Sequence, residues 1–357
     1  MIDKGQGKVM FTRRETLQGA AAGLAGAALA GGTGLGTLAA LATPIPAKAA
    51  TSFFKGCDVG WLQQMEATGY KFYDVNGVQQ DCLNILRSYG MTAVRLRTWV
   101  NPSTDPVNGH CSELETAAMA LRCQNAGLAV MIDIHYGDTW NSVGHQVPPA
   151  AWASFTYSQM LSAVSSYTSN LMHLLHSYGV TPNWVQTGNE INSGLLHPVG
   201  SVSIPVQMTG LINAGYDMIK QVFPNTPAII HLAQPQNGSS ITTMLDRFVA
   251  NGGKWDILGF SSYGGSTVAQ SLVNAMAGFS TQYGKPFMQV EFGGPASSPG
   301  STAKALTIYC QGVRNAGGLG FFYWEPEVYA PFASYSAGAW QTNGQPIATI
   351  MNAFKSA

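Results

Sequence analysis

The sequence predicts an α/β fold of the (β/α)8 TIM barrel type in a single domain. Short apolar runs recur about eight times along the chain, and each is followed by an amphipathic stretch with helical spacing. The runs are apolar at almost every position, which is typical of parallel strands buried on both faces. Several predicted helices end at a glycine just before the next run, where a left-handed residue terminates a helix.

The first half of the chain after residue 50 contains four strand–helix pairs. The predicted strands cover residues 53–60, 92–99, 128–135 and 183–190. The helices that follow them are predicted over residues 78–89, 112–126, 155–178 and 205–222.

The second half repeats the pattern. The predicted strands cover residues 228–233, 257–263, 286–291 and 318–324, and the helices cover 240–251, 271–283, 303–316 and 346–354. Eight such units favour a closed barrel. An open doubly wound sheet is the weaker alternative, because no Gly-x-Gly-x-x-Gly motif follows the first strand.

The first 49 residues have the features of an export signal. Thr12-Arg13-Arg14 begins a twin-arginine pattern, a weakly apolar Ala/Gly-rich stretch follows over residues 19–42, and Ala47-Lys48-Ala49 resembles a cleavage site. A membrane anchor is less favoured, because the stretch is poor in Leu and Ile. We therefore expect a twin-arginine-type signal peptide over 1–49, a barrel domain over 50–357, and an exported protein that is periplasmic or secreted.

Composition excludes some partners. The formal net charge is zero and 10% of the residues are charged, so the surface has no field to attract nucleic acid or anionic lipid. We expect a neutral partner and a monomer. The five cysteines are an odd number, so at least one is unpaired within the chain. Cys82 and Cys123, on neighbouring helices, could form a disulfide, and buried free thiols are at least as well supported.

Two glutamates occupy informative positions. Glu190 closes the fourth predicted strand and Glu291 closes the seventh. In a (β/α)8 barrel, residues at the carboxyl ends of strands point into the active site. Two carboxyl groups that face one cleft are what hydrolysis of a glycosidic bond requires.

Other polar and aromatic side chains occur at the same end of the predicted strands. Any one of them could be structural, and for His231 alone packing is as good an explanation. Their common placement at one end of a barrel favours a binding site. The candidate residues are Asp58, Arg95, Arg97, His135, Asp138, Trp140, Asn189, His231, Tyr263 and Trp324.

Several motifs resemble those of a known family. They are Asp58-Val59, Gly69-Tyr70-Lys71-Phe72-Tyr73-Asp74, Val94-Arg95-Leu96-Arg97, His135-Tyr136-Gly137-Asp138-Thr139-Trp140, Gly188-Asn189-Glu190-Ile191 and Phe322-Tyr323-Trp324-Glu325-Pro326. The strand-end glutamates resemble those of retaining glycosidases of clan A. More narrowly, the chain resembles the arabinogalactan endo-β-1,4-galactanases of glycoside hydrolase family 53, over about residues 54 to 350.

The resemblance implies roles for these residues. Glu190 would be the acid/base and Glu291 the nucleophile. Arg97 or Arg95, together with the Tyr263 hydroxyl, would keep Glu291 ionised, while burial and the charge on Glu291 would keep Glu190 protonated.

Further roles follow from the same resemblance. Asn189 would bind the sugar 2-OH, and Trp324 would form the floor under the ring. The implied partner is a neutral plant polysaccharide, the galactan side chains.

The chain departs from the family pattern outside the acid pair. Glu291-Phe292-Gly293-Gly294-Pro295 lacks an aromatic residue that the family usually has there, Ser261-Ser262-Tyr263-Gly264-Gly265 lacks consecutive tyrosines, and Cys57 and Gly60 replace Ala and Ser. The reaction is therefore better supported than the substrate. A mannanase, a cellulase and a non-catalytic glycan-binding barrel remain alternatives.

We expect no cofactor and no required metal. The loop that contains Glu325 and Glu327 lacks the Asp/Asn cluster that a hard cation prefers. A transition-metal site formed by His135, Asp138 and His145 is a weaker possibility.

Overall fold

The computed structural model describes residues 53–357. The chain divides into two units at Ala49/Ala50, and the barrel belongs to the unit Ala50–Ala357. The predicted signal segment, residues 1–49, lies outside the described residues. Within 53–357, no helix combines the length and apolar character needed to cross a membrane.

The strands form a closed barrel, which confirms the predicted fold. In chain order they are β1 (Phe54–Asp58), β2 (Ala93–Thr98), β3 (Ala129–Ile134), β4 (Trp184–Thr187), β5 (Gly194–Leu195), β6 (Gly200–Ser201), β7 (Ala228–Ala233), β8 (Ile257–Ser261), β9 (Phe287–Glu291) and β10 (Gly320–Tyr323). The parallel barrel runs β1-β2-β3-β4-β7-β8-β9-β10 and closes on β1. Strands β5 and β6 pair separately as a short antiparallel hairpin. The open-sheet alternative is therefore wrong.

The helices surround the barrel. They are α1 (Leu62–Ala67), α2 (Cys82–Ser88), α3 (Glu113–Asn125), α4 (Tyr157–Ser177), α5 (Pro205–Val222), α6 (Gly238–Ala250), α7 (Ala269–Tyr283), α8 (Pro299–Asn315) and α9 (Ala348–Ser356). Helices α3 and α4 begin with capping boxes at Ser112 and Thr156. Both end before glycines with positive φ, 77° at Gly127 and 72° at Gly179, as the sequence predicts. Helix α1 and the β5–β6 hairpin were not predicted, because segments this short carry no readable periodicity.

Side-chain alternation along the strands separates the outer core from the barrel interior. On β3, Val130, Ile132 and Ile134 pack outward into the large helix–strand core, whereas Met131 points inward. The inner apolar cluster consists of Ala93, Met131, Trp184, Ile229, Ile257, Met288, Val290 and Phe322. All five cysteines are free and buried in the structure, so the Cys82–Cys123 disulfide does not form there.

Candidate active site

Glu190 and Glu291 meet across the mouth of the barrel. One carboxylate oxygen from each, together with one ring nitrogen of His231, lie within 4.8 Å of one another. Retaining glycosidases separate their two carboxyl groups by about 5–5.5 Å, and inverting enzymes by about 6.5–9.5 Å. The separation of the two carboxyl groups is therefore closer to that of retaining enzymes than to that of inverting enzymes.

Local backbone geometry directs both glutamates into the cleft. Glu190 has a left-handed backbone with φ 49°, a conformation that costs free energy for a non-glycine residue and is concentrated at functional sites. On the other side, the β8–β9 register shifts between Phe260 and Ser261. This irregularity places an extra residue on β9 and turns Glu291 toward the cleft, as β-bulges near active sites do.

Glu291 lies in an environment that favours its charged form. Its Oε1 is 2.8 Å from Nη1 of Arg95, and its Oε2 accepts a 2.8 Å hydrogen bond from the Tyr263 hydroxyl. Burial alone would raise the pKa of Glu291, but Arg95 and the Tyr263 hydrogen bond outweigh it and lower that pKa below its usual value. Arg97, the alternative partner suggested by the sequence, does not fill this role. Its guanidinium instead pairs with Glu325.

Glu190 lies in an environment that favours its protonated form. Burial, and then the negative charge of Glu291, raise the pKa of Glu190 to about 7. Its Oε2 accepts a long 3.4 Å hydrogen bond from the Val143 backbone N–H. Two neighbouring carboxyl groups with opposite pKa shifts can hold one proton between them, which the sequence-based hypothesis required.

Arg95 is the centre of the buried polar network beneath this pair. It is 1% exposed, and its guanidinium approaches three carboxylates, those of Asp58 at 2.6 Å, Asp133 at 2.9 Å and Glu291. A single guanidinium cannot neutralise three carboxylates. The pKa of Asp58 is accordingly raised well above its usual value, first by burial and then by the negative charges of Glu291 and Glu325. Two amide oxygens, of Gln186 at 2.7 Å and Asn189 at 2.9 Å, accept the remaining hydrogen bonds.

Gln186 belongs to this network although no sequence motif marks it. It lies two residues after Trp184 on β4, so both side chains point into the barrel. The sequence feature that could have identified Gln186 is a polar residue at an inward-facing position of an otherwise apolar strand. Gln186 also donates a 3.0 Å hydrogen bond to Asp133, which makes it a second link between β3 and Arg95.

The hydrogen bonds of the two predicted histidines define their tautomers. His231 Nδ1 accepts from the Glu190 backbone N–H at 3.3 Å, so its Nε2 carries the proton and donates to Ser261 at 2.6 Å. Burial lowers the pKa of His231 to about 4, which leaves the ring neutral at neutral pH. His135 accepts from the Asn141 backbone N–H at 3.1 Å and lies 3.0 Å from Asp133 through Nε2.

These tautomers bear on metal binding. Among residues 53–357, the group whose ligand atoms converge is Glu190, His231 and Glu291, which is the acid pair itself. Both ring nitrogens of His231 are engaged by protein groups. Both nitrogens of His135 are also engaged, so the alternative metal site built on His135, Asp138 and His145 is not supported.

Tryptophans surround Arg97 and form one wall of the cleft. The guanidinium carbon lies 4.9 Å from the ring of Trp61, 5.3 Å from that of Trp99 and 4.5 Å from that of Trp140. Trp324 packs edge-on against Trp140 at 5.9 Å, and both line the cleft. Arg97 therefore packs against the tryptophans of this wall and supports them.

Asp138 is a predicted site residue that does not line the cleft. Its Oδ1 accepts a hydrogen bond from the Asn101 backbone and its Oδ2 accepts one from the Ala150 backbone, at 3.0 and 2.9 Å. Both oxygens thus join loops, and Asp138 is not among the described residues that line the cleft. Asp138 therefore holds the loops after β2 and β3 together, and its role as a binding residue stays a prediction.

Apart from Asp138 and the fully buried His231, the predicted residues surround one crevice of about 260 Å³ at the barrel mouth. A second cavity of about 670 Å³ adjoins it. Ser142, Glu190 and Tyr263 line both cavities, so Glu190 lies where they meet. The crevice is lined by Asp58, Arg95, Arg97, His135, Trp140, Asn189, Glu190, Tyr263, Glu291 and Trp324, among others.

A closed parallel barrel with an oppositely tuned carboxyl pair and an aromatic wall at its mouth defines a glycoside hydrolase. The chain belongs to one family of this class. The sequence profile of Glycosyl hydrolase family 53 matches residues 54–300, so the chain is a member of that family.

Individual relatives agree with this assignment. The chain is 31% identical over 322 residues to "Uncharacterized protein in bgaB 5'region" of Niallia circulans, covering 80% of this chain and 87% of that protein. It is 29% identical over 300 residues to arabinogalactan endo-beta-1,4-galactanase A of Emericella nidulans, covering 76% and 84%. Among solved structures, it is similar to the Ignisphaera aggregans GH53 catalytic domain, with a TM-score of 0.78, 27% identity, and coverage of 87% and 98%.

Proposed function

We propose that this protein is a retaining endo-β-1,4-galactanase that cleaves the backbone of galactan and arabinogalactan. The observation that carries the proposal is the pair Glu190 and Glu291, within reach of one sugar carbon and with opposite pKa shifts. The galactanase from Emericella nidulans supports the substrate. Cavities on both sides of Glu190 support endo-action, because sugar units can occupy each side of the cleaved bond.

In the first step the ionised Glu291 attacks the anomeric carbon and forms a glycosyl ester. The bond to the leaving oxygen breaks, and that oxygen takes the proton from Glu190. In the second step Glu190, now ionised, removes a proton from water, and the water oxygen displaces Glu291 from the anomeric carbon. Two inversions at one carbon retain the β configuration.

Other groups assist at defined points. The Arg95 ion pair and the Tyr263 hydrogen bond hold Glu291 ionised and aimed at the sugar. Asn189 is held by Arg95 through its oxygen and by the Asn141 carbonyl through its nitrogen, and its second amide proton is available to the sugar 2-OH. Trp324 and Trp140 provide the flat surface against which the C–H face of a sugar packs.

A direct assay tests the substrate. The protein without residues 1–49 is incubated with debranched galactan, β-mannan and cellulose, and new reducing ends are measured. Release from galactan above the other two supports the proposal. Preferential cleavage of mannan or cellulose would instead identify another β-glycanase of the same reaction type, and binding without cleavage would identify a non-catalytic glycan-binding barrel.

We also propose that residues 1–49 direct export by the twin-arginine route and that 50–357 is the mature enzyme. The support is Arg13-Arg14 before an Ala/Gly-rich stretch and a small-x-small site. Changing Arg13 and Arg14 to Lys in a bacterial host should retain the full-length protein in the cytoplasm. Export of the double variant at the wild-type rate would contradict the route.

A further inference from the structure

The larger cavity lies on the side of Glu190 away from the crevice that contains Glu291. A general acid protonates the oxygen of the departing group, so the departing sugar lies on the acid's side of the cleaved bond. This inference rests on the proposed function. Under that function, the cavity of about 670 Å³ holds the leaving part of the polysaccharide.

The lining of this cavity differs from that of the crevice. Tyr263 is its single aromatic lining residue among the described residues, and no charged side chain other than Glu190 lines it. Val268 and Leu272, at the start of α7, form an aliphatic wall. Two amide side chains, Gln234 and Gln236, line it from the loop after β7. Selectivity for a sugar here must come from these amides and from hydroxyl groups.

Gln234 has an unusual backbone. Its φ is 58°, in the left-handed region that a non-glycine residue adopts at a cost. Three other residues within three positions of a barrel strand share this conformation, namely Tyr136, Glu190 and Glu325. In each of them the turn aims a side chain that has a defined task.

Those tasks are visible in the contacts. The Tyr136 hydroxyl is 2.7 Å from that of Thr168, Glu190 is the acid beside Glu291, and Glu325 pairs with Arg97. Gln234 differs from these three. Its backbone N–H and carbonyl are bonded to Ser261 and Asn237, whereas its side-chain amide is exposed and has no partner among the described residues.

We propose that Gln234 binds the hydroxyl groups of the first sugar on the leaving side, and so determines which glycans are cleaved. A primary amide both donates and accepts hydrogen bonds, which matches a sugar hydroxyl. The aliphatic wall formed by Val268 and Leu272 packs against the C–H face of the same ring. The strained turn at Gln234 places this residue on the lining of the same cavity as the acid Glu190.

The test compares two leaving groups. Gln234→Gly removes the amide while glycine adopts the left-handed backbone freely, so the fold is preserved. Gln234→Asn is the matched control, since asparagine keeps an amide and tolerates the same backbone. Wild type and both variants are assayed on a β-1,4-galacto-oligosaccharide, whose leaving group is a sugar, and on a 4-nitrophenyl glycoside with the same glycone.

The expected result is a change in the ratio of the two activities. Gln234→Gly should lower kcat/KM on the oligosaccharide about tenfold, the effect of about 1.4 kcal/mol or one to two neutral hydrogen bonds. Activity on the nitrophenyl glycoside should change less than about twofold, because an aryl group offers no hydroxyl to the amide. Gln234→Asn should retain more of the oligosaccharide activity than Gln234→Gly.

Two contrary results are distinguishable. An unchanged ratio in Gln234→Gly, whether both activities fall or neither does, overturns the role of Gln234 and leaves the proposed function intact. A wild-type protein that cleaves neither galactose-based substrate overturns the proposed function, and this inference with it.

Discussion

Glu291 forms a buried 2.8 Å ion pair with Arg95, whereas Glu190 on the other side of the cleft receives a hydrogen bond from the neutral Val143 backbone N–H. The cation lowers the pKa of Glu291, and burial next to a charged Glu291 raises that of Glu190. This asymmetry assigns different chemistry to two identical side chains.

The asymmetry predicts different behaviour when each glutamate is removed. Glu291→Ala should abolish turnover of every substrate, because no nucleophile remains. Glu190→Ala should lower polysaccharide cleavage by about 10²–10⁴-fold, yet spare formation of the glycosyl-enzyme from aryl glycosides whose leaving group needs no proton. Burst kinetics with a dinitrophenyl glycoside measure this step. Near wild-type activity in Glu291→Ala would show that the nucleophile is another group.

The pH dependence follows from the same two groups. Activity requires Glu190 protonated and Glu291 ionised, so kcat/KM should fall as pH rises through about 7, the pKa of Glu190. It should persist below the usual range of a glutamate before falling, because the pKa of Glu291 is lowered. A profile of kcat/KM against pH checks both limbs. An alkaline limb that stays in Glu190→Gln, measured with an aryl glycoside, would exclude Glu190 as its source.

Tyr263→Phe isolates the hydroxyl that donates to Glu291. Without that hydrogen bond the carboxylate is less stabilised, so the pKa of Glu291 should rise. The acid limb of the profile should move to higher pH, and kcat should fall about tenfold or more. A variant that only raised KM, with the acid limb in place, would indicate that Tyr263 contacts the sugar and does not tune Glu291.

Arg95 should matter for stability as well as activity. Arg95→Met leaves several buried carboxylates without their cation, and breaking a buried pair in this way costs about 3–5 kcal/mol. Arg122→Met is the matched control, because Arg122 makes ion pairs at the surface with Glu66 and Asp81. Exposed pairs contribute about 0–1 kcal/mol each. Denaturant unfolding compares the two, and equal losses would contradict the central position of Arg95.

A substitution at Gly60 tests whether the aromatic wall depends on Arg97. A Cβ at this position would lie 2.2 Å from Nη1 of Arg97, so Gly60→Ala should displace the Arg97–Glu325 pair. Catalytic efficiency should fall with it, because Arg97 supports Trp140. Gly278→Ala, in α7 with open space around its Cβ, should leave activity unchanged and slightly raise the free energy of unfolding. Full activity in Gly60→Ala would show that the wall does not depend on Arg97.

The sequence predicted the barrel and the position of two glutamates at its mouth because both depend on local patterns. Near-continuous apolar runs indicated the strands, and glycines such as Gly127 indicated where helices end. Glu190 and Glu291 each follow or close a strand at its carboxyl end, so both were expected at the same mouth of the barrel. The sequence indicated that either Arg95 or Arg97 forms the ion pair with Glu291, and it did not distinguish between them. Both arginines point inward from β2, and only three-dimensional packing pairs Arg97 with Glu325.

Other features depend on pairings between distant segments. The register shift that turns Glu291 into the cleft arises between β8 and β9 and leaves no mark in either segment alone. Asp138 was predicted as a site residue because it follows His135 closely. Both of its carboxylate oxygens accept hydrogen bonds from the loop backbone, at Asn101 and Ala150. Gln234 belongs to no recognisable sequence motif, so the sequence did not indicate a binding role. Its left-handed backbone conformation is visible only in the folded chain.

The most direct test of the two-glutamate mechanism is to trap the covalent intermediate. A 2-deoxy-2-fluoro glycoside with an activated leaving group slows hydrolysis of the ester, so the labelled enzyme can be digested and analysed by mass spectrometry. If Glu291 is the nucleophile, each protein should carry one sugar, attached to the peptide that contains Glu291. A label on Glu190 or any other residue, or released sugar of inverted configuration without a label, would contradict this assignment.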